Sequence, residues 1–374
     1  NLKQYSVQVT NSAGSATSAA TAVNVQPSTL TNLVISEVST CYFSNTDCWF
    51  EIYNPTSGSI NLSSYSIRSR STDATNGTPF ASEAFSLPNL SIPADGYLIV
   101  SGNTKNLIQR GTQNARIRNG NNVPYWSSSG FIELLSAGTT IDFVIFGTST
   151  QTPTTTGKWN GVNIPALPYS QSDYGKSIVR PYPKTANTNT FSSADWLQVE
   201  WVTPAGRNDV PVGAKDDDRD GIPDSAEVLG GSFAGIDLFA MGARTGIRDI
   251  FIEIDTMDSK DLGIIPTTES LQMVVSAFAK RNINVVFDAG TIFSPSFSVN
   301  SFNLGQDKNI VPFEKCIKFD PTFCTSNVSD RRTIYDYKDE FMDLRRRSIF
   351  HYLLMANTQN VDGSVGGAAG SAEL

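Results

Sequence analysis

Residues 216–227 are the segment whose residue types and spacing most clearly predict chemistry. They read D-D-D-R-D-G-I-P-D-S-A-E and fit the pattern D-x-D-x-D-G-x-x-D-x-x-E at every position. Calcium binds about six to eight oxygen atoms, and this spacing supplies carboxylates at alternating loop positions and at the end of the loop. We therefore predict a calcium site, with these ligands: Asp216, Asp218, Asp220, the backbone carbonyl of Ile222, Asp224 and Glu227.

The remaining residues of the acidic loop suit the same interpretation. Gly221 occupies the position where the chain must turn sharply and a side chain would obstruct the turn. Asp217 and Arg219 alternate outward and are not assigned to the metal. The alternative is a disordered acidic linker. Carboxylates this close together repel one another without an ion, so we expect calcium to be structural rather than catalytic.

The same residue inventory argues against the usual hydrolytic centres. His351 is the single histidine of the chain. A hydrolytic zinc needs about three protein ligands, usually including two histidines, and serine or cysteine hydrolysis needs a histidine base held by a third group. We therefore predict no catalytic residues and no zinc site. We expect His351 to lie on an amphipathic helix, in a packing or hydrogen-bonding role.

A second acidic group follows the loop. Glu253 and Asp255 alternate along a predicted strand and would share one face, with Asp258 just beyond. This arrangement is compatible with a metal or with salt links to Arg248 and Lys260. The sequence leaves both interpretations open.

The composition of the chain limits the classes of partner that the protein can bind. The chain has 374 residues, enough for two or three domains, and only 17% of them are charged, which is typical of extracellular β domains. A net charge of −8 argues against a nucleic-acid partner, because phosphates need a basic face. Arg345, Arg346 and Arg347 form the only basic run, and we interpret it as a solvated face. The sequence contains no apolar run long enough for a membrane span.

The four cysteines lie in two local pairs, Cys41 with Cys48 and Cys316 with Cys324. Two short-range disulfides are the natural pairing, and they imply an oxidising compartment. A zinc site built from the four is the weaker alternative, because neither pair has the spacing of a zinc knuckle. We therefore expect a secreted or cell-surface protein.

Alternating apolar and polar residues dominate the first 208 positions. Residues 5–25 alternate on both sides of Asn11-Ser12-Ala13-Gly14, which predicts a hairpin and resembles the end of a bacterial immunoglobulin-like domain. Short alternating runs then continue from Leu33 to about Asn208, between turns rich in glycine, proline, asparagine and serine. This pattern predicts a β-sandwich.

The order of these runs resembles a lamin tail domain, an immunoglobulin-like sandwich. The matching segments are residues 35–38, 49–55, 60–62, 92–97, 131–134, 142–144, 177–180, 195–196 and 203–206, with Asn208. The resemblance implies a binding or scaffolding role. Four acidic residues beside apolar strand positions, Glu37, Glu51, Glu133 and Asp142, are expected to accept hydrogen bonds from loop amides.

The acidic loop in turn resembles the calcium repeats of thrombospondin type 3 and dockerin-like modules, where the ion stiffens a connector.

The hydrophobic pattern changes after a glycine-rich joint at 230–235. It predicts a buried strand at 249–255, a helix at 268–281, a second strand at 283–288 and a long helix at 335–357, which together indicate an α/β unit. Residues 248–257, 271–278 and 350–352, with the stretch from Gly363, resemble the front half of a bacterial zinc-metallopeptidase-like domain. In that family a His-Glu-x-x-His helix lies downstream, beyond Leu374. Residues 363–370 are expected to be a flexible or partner-dependent tail.

The sequence thus predicts a mainly β protein with a C-terminal α/β part. The expected regions are the end of an immunoglobulin-like domain at 1–27, a lamin-tail sandwich at 31–208, a calcium loop at 214–231 and an α/β metallopeptidase-like partial domain at 240–374. Our first hypothesis is an extracellular, calcium-stabilised structural or binding module with a protein or cell-surface partner. The second is the N-terminal portion of a secreted zinc metallopeptidase.

Overall fold

A computed structural model shows a mainly β protein. The structure describes residues 30–40, 48–69, 83–101, 126–168, 175–182, 189–258, 262–306, 310–312 and 334–356, the short strands at 3–5, 8–11, 14–17, 21–23, 106–110, 114–119 and 370–372, and residues 124 and 170. The fold class predicted from the sequence is confirmed.

The described part of the first 30 residues forms four short strands: β1 Lys3–Tyr5, β2 Gln8–Asn11, β3 Gly14–Thr17 and β4 Thr21–Val23. β2 and β3 pair antiparallel with Asn11 opposite Gly14, and β1 pairs with β4. The predicted hairpin is therefore confirmed.

In the next part of the chain, the described residues form thirteen strands. They are β5 Val34–Ser39, β6 Trp49–Tyr53, β7 Ile60–Asn61, β8 Tyr65–Ser69, β9 Glu83–Ser86, β10 Ser91–Ile92, β11 Tyr97–Ser101, β12 Asn106–Arg110, β13 Asn114–Asn119, β14 Gly130–Ser136, β15 Thr139–Phe146, β16 Ser177–Val179 and β17 Leu197–Val199.

Two of the resulting sheets pack face to face as a sandwich. One has seven strands in the order β12-β13-β11-β6-β5-β16-β17, and the other has four in the order β15-β14-β8-β9. Their inner faces share one apolar core, which includes Ile35, Phe50, Trp126, Leu134 and Phe146. β8 shows why the core forms on one face of the sheet. Its residues alternate between buried and partly exposed, because successive side chains of a strand point to opposite faces.

The α/β unit begins with β18 Arg248–Met257 and continues through α1 Thr268–Ala279 to β19 Ile283–Asp288. β18 and β19 are parallel, as a β-α-β unit requires. The side chain of Thr267 caps α1 by accepting the Ser270 N–H. The predicted strand, helix and strand are all confirmed.

The predicted long helix at 335–357 is wrong. The segment forms a short helix, α2 Ile334–Phe341, followed by a strand, β21 Phe350–Met355, which lies parallel to β18. Residues 350–355 alternate between buried and exposed or partly exposed positions, a period of two that suits a strand. His351 therefore lies exposed on a strand, not on a helix. β20 Ile310–Val311 and β22 Gly370–Ala372 complete this sheet.

The segment between the sandwich and β18 is irregular but anchored. Ile222, Ala226 and Phe233 from this segment lie in the same apolar core as Phe251 and Tyr352 of the α/β sheet. The acidic loop therefore sits on the α/β unit, and the glycine-rich joint after it is packed against that unit. The domain boundaries drawn from the sequence stay predictions.

Some other predictions concern residues that lie partly outside the described part of the chain. Cys48 is buried, and the other three cysteines lie outside the described residues, so both disulfide pairings stay predictions. Residues 363–369 of the predicted tail also lie outside them. Within the described part of the chain, no helix is both long and apolar enough to cross a membrane.

Candidate metal centre

The acidic loop is wound around the carboxylate of Asp216. Its Oδ1 accepts the N–H groups of Arg219 at 2.7 Å and Asp220 at 3.2 Å, and its Oδ2 accepts that of Gly221 at 3.0 Å. Gly221 has φ of 93°, in the region that residues with a Cβ rarely adopt. The loop therefore needs an acid at its first position and glycine at its sixth.

Asp216, Asp218 and Asp220 form a first carboxylate group, with one oxygen from each residue lying within 4.8 Å of the others. Asp218 Oδ2 accepts the Gly246 N–H at 2.8 Å, whereas its Oδ1 is buried without a hydrogen-bond donor. Oxygens that converge without donors are suited to bind a hard cation.

Asp220, Glu227 and Asp249 form a second carboxylate group, again with one oxygen from each within 4.8 Å. Asp220 Oδ2 accepts the Asp249 N–H at 2.6 Å, which ties the loop to the beginning of β18. Glu227 is 1% exposed, and neither of its carboxylate oxygens has a hydrogen-bond donor. A buried carboxylate in this state needs either a proton or a cation.

The pKa shifts have the same cause. Burial, followed by the neighbouring carboxyls of Asp249, Asp220 and Asp218, raises the pKa of Glu227 to about 9. Burial raises the pKa of Asp220 to about 6, with Asp218 and Asp249 adding to the effect. The pKa values of Asp218 and Asp249 are also raised, mainly by burial. The shifts therefore reflect burial together with the mutual repulsion of the neighbouring carboxyls.

The predicted ligands are only partly brought together. Asp216, Asp218, Asp220 and Glu227 each belong to one of the two carboxylate groups, whereas Asp224 belongs to neither and accepts the Asp217 N–H at 3.0 Å. The Ile222 N–H donates to Asp220 Oδ1 at 2.8 Å, and a metal role for the Ile222 carbonyl stays a prediction.

Sequence reasoning missed Asp249. It lies 22 positions after Glu227 and was interpreted only as the beginning of a strand. Asp249 is buried, and its carboxylate also accepts hydrogen bonds from Arg244 N–H at 2.8 Å and Asn284 Nδ2 at 2.5 Å. Its one sequence signal is an acid at the edge of an apolar run, which many strands share.

The carboxylates of the second acidic candidate, Glu253 and Asp255, differ from Glu227 in that each accepts a hydrogen bond from a side chain. Arg346 Nη1 donates to Glu253 at 2.7 Å and to Asp288 at 2.6 Å, and Tyr352 donates to Asp255 at 2.6 Å. Burial raises the pKa of Glu253 to about 8 and that of Asp255 to about 7.

Among the described residues, the salt link to Arg248 that was one of the open interpretations is not seen at Glu253 or Asp255. Arg248 donates instead to the Asp218 carbonyl, and Lys260 lies outside the described residues. Asp258 is exposed, and among the described residues no metal-binding carboxylate group forms with Glu253 and Asp255. Arg346, from the run interpreted as a solvated face, is buried here, because the chain returns to the sheet at that point.

Three of the four buried carboxylates of the sandwich accept hydrogen bonds from loop backbone, as predicted, whereas Asp142 accepts one from Ile35 of strand β5. Glu133 accepts the Thr154 N–H at 2.6 Å, Glu51 that of Ala205 at 2.6 Å, Asp142 that of Ile35 at 2.8 Å, and Glu37 that of Thr203 at 3.3 Å. Each also accepts from a side chain: Arg68 for Glu133, Ser36 for Glu51, Arg180 for Asp142 and Ser177 for Glu37. Glu37, Glu51 and Glu133 thus connect loops to strands, and Asp142 connects β15 to β5.

Comparison with known proteins identifies one segment. Residues 26–148, about a third of the chain, match the family model of the lamin tail domain. Strands β16 and β17 extend the larger sheet beyond this match. The match does not reach the acidic loop or the α/β unit, and no curated protein matches the chain. The family likeness established for this protein is therefore that of a lamin tail domain within its sandwich.

Proposed function

We propose that the protein is a calcium-stabilised structural or binding module of the cell exterior, with a protein or cell-surface partner. The observation that carries this proposal is the convergence of Asp216, Asp218 and Asp220, with one Asp218 oxygen buried and without a donor. A cation at this point neutralises repelling charge and satisfies that oxygen.

The role of the ion follows from what the loop contacts. Asp218 accepts the Gly246 N–H through its carboxylate and, at 2.9 Å, Arg248 Nε through its carbonyl. Asp220 accepts the Asp249 N–H at 2.6 Å. Residues 246–249 lead into β18, so an ion bound by these aspartates holds the connector against the α/β unit.

A position outside the cell suits the remaining features. The sandwich contains a lamin-tail segment, a fold that implies no particular reaction. Free calcium at extracellular concentrations is sufficient to fill sites of modest affinity. The low charged content of 17% is typical of such domains. The partner class follows from the scaffold-like character of the fold.

Calcium titration of the whole chain by calorimetry tests the proposal. We expect saturable binding and a rise in melting temperature in the parent, because a ligand that binds only the native state stabilises it. Asp218→Asn removes a charge from the first carboxylate group and should weaken binding at least tenfold. Asp217→Asn is the matched control, since Asp217 is exposed and belongs to neither group. A parent that takes up no calcium would overturn the proposal.

A further inference from the structure

The two carboxylate groups share Asp220 but draw their other members from different parts of the chain. Asp216 and Asp218 come from the beginning of the loop, whereas Glu227 comes from its end and Asp249 from β18. Together the five side chains carry five negative charges when ionised. One divalent cation leaves three of those charges uncompensated in a partly buried site, which is unfavourable.

We propose that Asp220, Glu227 and Asp249 bind a second divalent cation, separate from the one in the loop. This proposal rests on the proposed calcium function and extends it. Glu227 supplies the independent observation, because it is 1% exposed and both of its oxygens lack hydrogen-bond donors. A group so deeply buried and so incompletely satisfied is explained by a cation between it and the facing carboxylates.

The second ion would keep free coordination positions. Three carboxylates fill about three to six of the six to eight positions that calcium uses, depending on whether each binds with one or both oxygens. A cavity of about 250 Å³ lies against this group, and Asp220 and Asp249 form part of its wall. The open positions therefore face a space large enough for part of a ligand.

The rest of the cavity wall defines the ligand. It includes Lys338, Arg347 and His351, from α2, the turn after it and β21. Arg347 also pairs with Asp339. An anion in the cavity would lie near the ion and near the basic side chains of Lys338 and Arg347, so the ligand class that fits is a carboxylate. Calcium would thereby become part of a binding site as well as a support.

The stoichiometry of calcium binding tests the second ion. We expect calorimetry to give two ions per chain in the parent and one in Asp249→Asn, a change that keeps the shape of the side chain and removes its charge. Asp217→Asn should keep both. One ion in the parent, or two in Asp249→Asn, would overturn the proposal. Binding of no ion at all would instead overturn the calcium function, so the two failures are distinguishable.

Terbium luminescence tests the open positions. Emission lifetimes of bound Tb³⁺ in H₂O and D₂O count the water molecules on the ion. Sodium acetate is the probe, and sodium chloride at equal ionic strength is the control. We expect acetate to remove water from the parent and not from Asp249→Asn. Arg347→Gln should weaken the acetate effect severalfold, whereas Arg345→Gln, which lies outside the cavity wall, should not. An equal response to acetate and chloride in the parent would overturn the carboxylate site.

Discussion

Buried carboxylates occur in two regions of this molecule, and they differ in what faces them. In the sandwich, Asp142 accepts hydrogen bonds from Ile35 N–H and Phe143 N–H, from Asn189, and from Arg180 through both oxygens. In the loop region, Glu227 has no donor and faces other carboxylates. Both side chains are almost completely buried, at 0% and 1% exposure.

The difference teaches how to separate structural acids from metal-binding ones. Burial alone does not distinguish the two regions, because all these groups are removed from water. The hydrogen-bond donors distinguish the two regions. A buried carboxylate that accepts from N–H and guanidinium groups needs no ion, whereas one without donors is stable only with a proton or a cation. The sandwich should therefore be indifferent to calcium and the loop dependent on it.

The largest effect is expected for Arg180→Ala. Arg180 and Asp142 are 3% and 0% exposed and lie 3.0 Å apart, so the substitution leaves a buried charge unpaired. We expect a loss of about 3–5 kcal/mol in the free energy of unfolding, equal in calcium and in EDTA. Arg207→Ala is the control, because its pair with Asp95 is exposed and should contribute no more than about 1 kcal/mol. Chemical denaturation measures both, and a loss that depends on calcium would break the comparison.

The second prediction concerns pH. Burial raises the pKa of Glu37 to about 7 from 4.5, so the folded state holds this proton more tightly than the unfolded chain. The resulting stability is complete below pH 4.5 and is lost as the pH rises to about 7. The loss is at most about 3 kcal/mol, since one unit of pKa corresponds to about 1.4 kcal/mol. It should appear both in calcium and in EDTA.

The loop adds a calcium-sensitive part to the same pH profile. Because the pKa of Glu227 is raised to about 9 in the ion-free site, stability in EDTA should continue to fall above pH 7. Calcium replaces the proton and should flatten the profile there. Melting curves from pH 4 to 9 measure both parts, and identical profiles with and without calcium above pH 7 would contradict the assignment of the loop.

The third prediction is that Glu227→Gln changes the free energy of unfolding in opposite directions in EDTA and in calcium. In EDTA at neutral pH the substitution should stabilise the protein, because Glu227 must take up a proton on folding when its pKa is raised to about 9, whereas glutamine carries no charge in either state. In calcium at about a hundred times its dissociation constant it should destabilise the protein by up to about 2.7 kcal/mol, the binding contribution that is lost. Glu200→Gln is the control, because Glu200 is exposed and pairs with the partly buried Lys176. The same sign in both buffers would show that Glu227 holds no ion.

The smallest effect is expected for Gly221→Ala. The φ of 93° at Gly221 is strained for any residue with a Cβ, so the substitution should cost about 1–2 kcal/mol and weaken calcium binding. Gly58→Ala is the control, because Gly58 has ordinary φ and open space around it. Thermal unfolding and calorimetry measure the two effects. An unchanged calcium affinity would show that the turn does not position the ligands.

Local pattern was sufficient for most of the fold. Alternation with a period of two located β8, β14 and β15, and a period near 3.6 between two apolar runs located α1. Residues 335–357 were mistaken for one helix, because a short apolar run such as 350–355 suits either structure until its neighbours are known. Pairing with β18 selects the strand, and this pairing is a long-range contact.

The sequence by itself determined the acidic loop, because the backbone N–H groups that donate to Asp216 lie within a few residues of it and Gly221 supplies the turn. Only the tertiary structure decided that Asp249 faces Glu227, that Arg346 lies between Glu253 and Asp288, and that Arg180 meets Asp142. These partners are separated by 22 to 93 positions along the chain. Residue type and spacing report on neighbours within a turn, whereas the supply of donors to a buried charge depends on how distant strands pack.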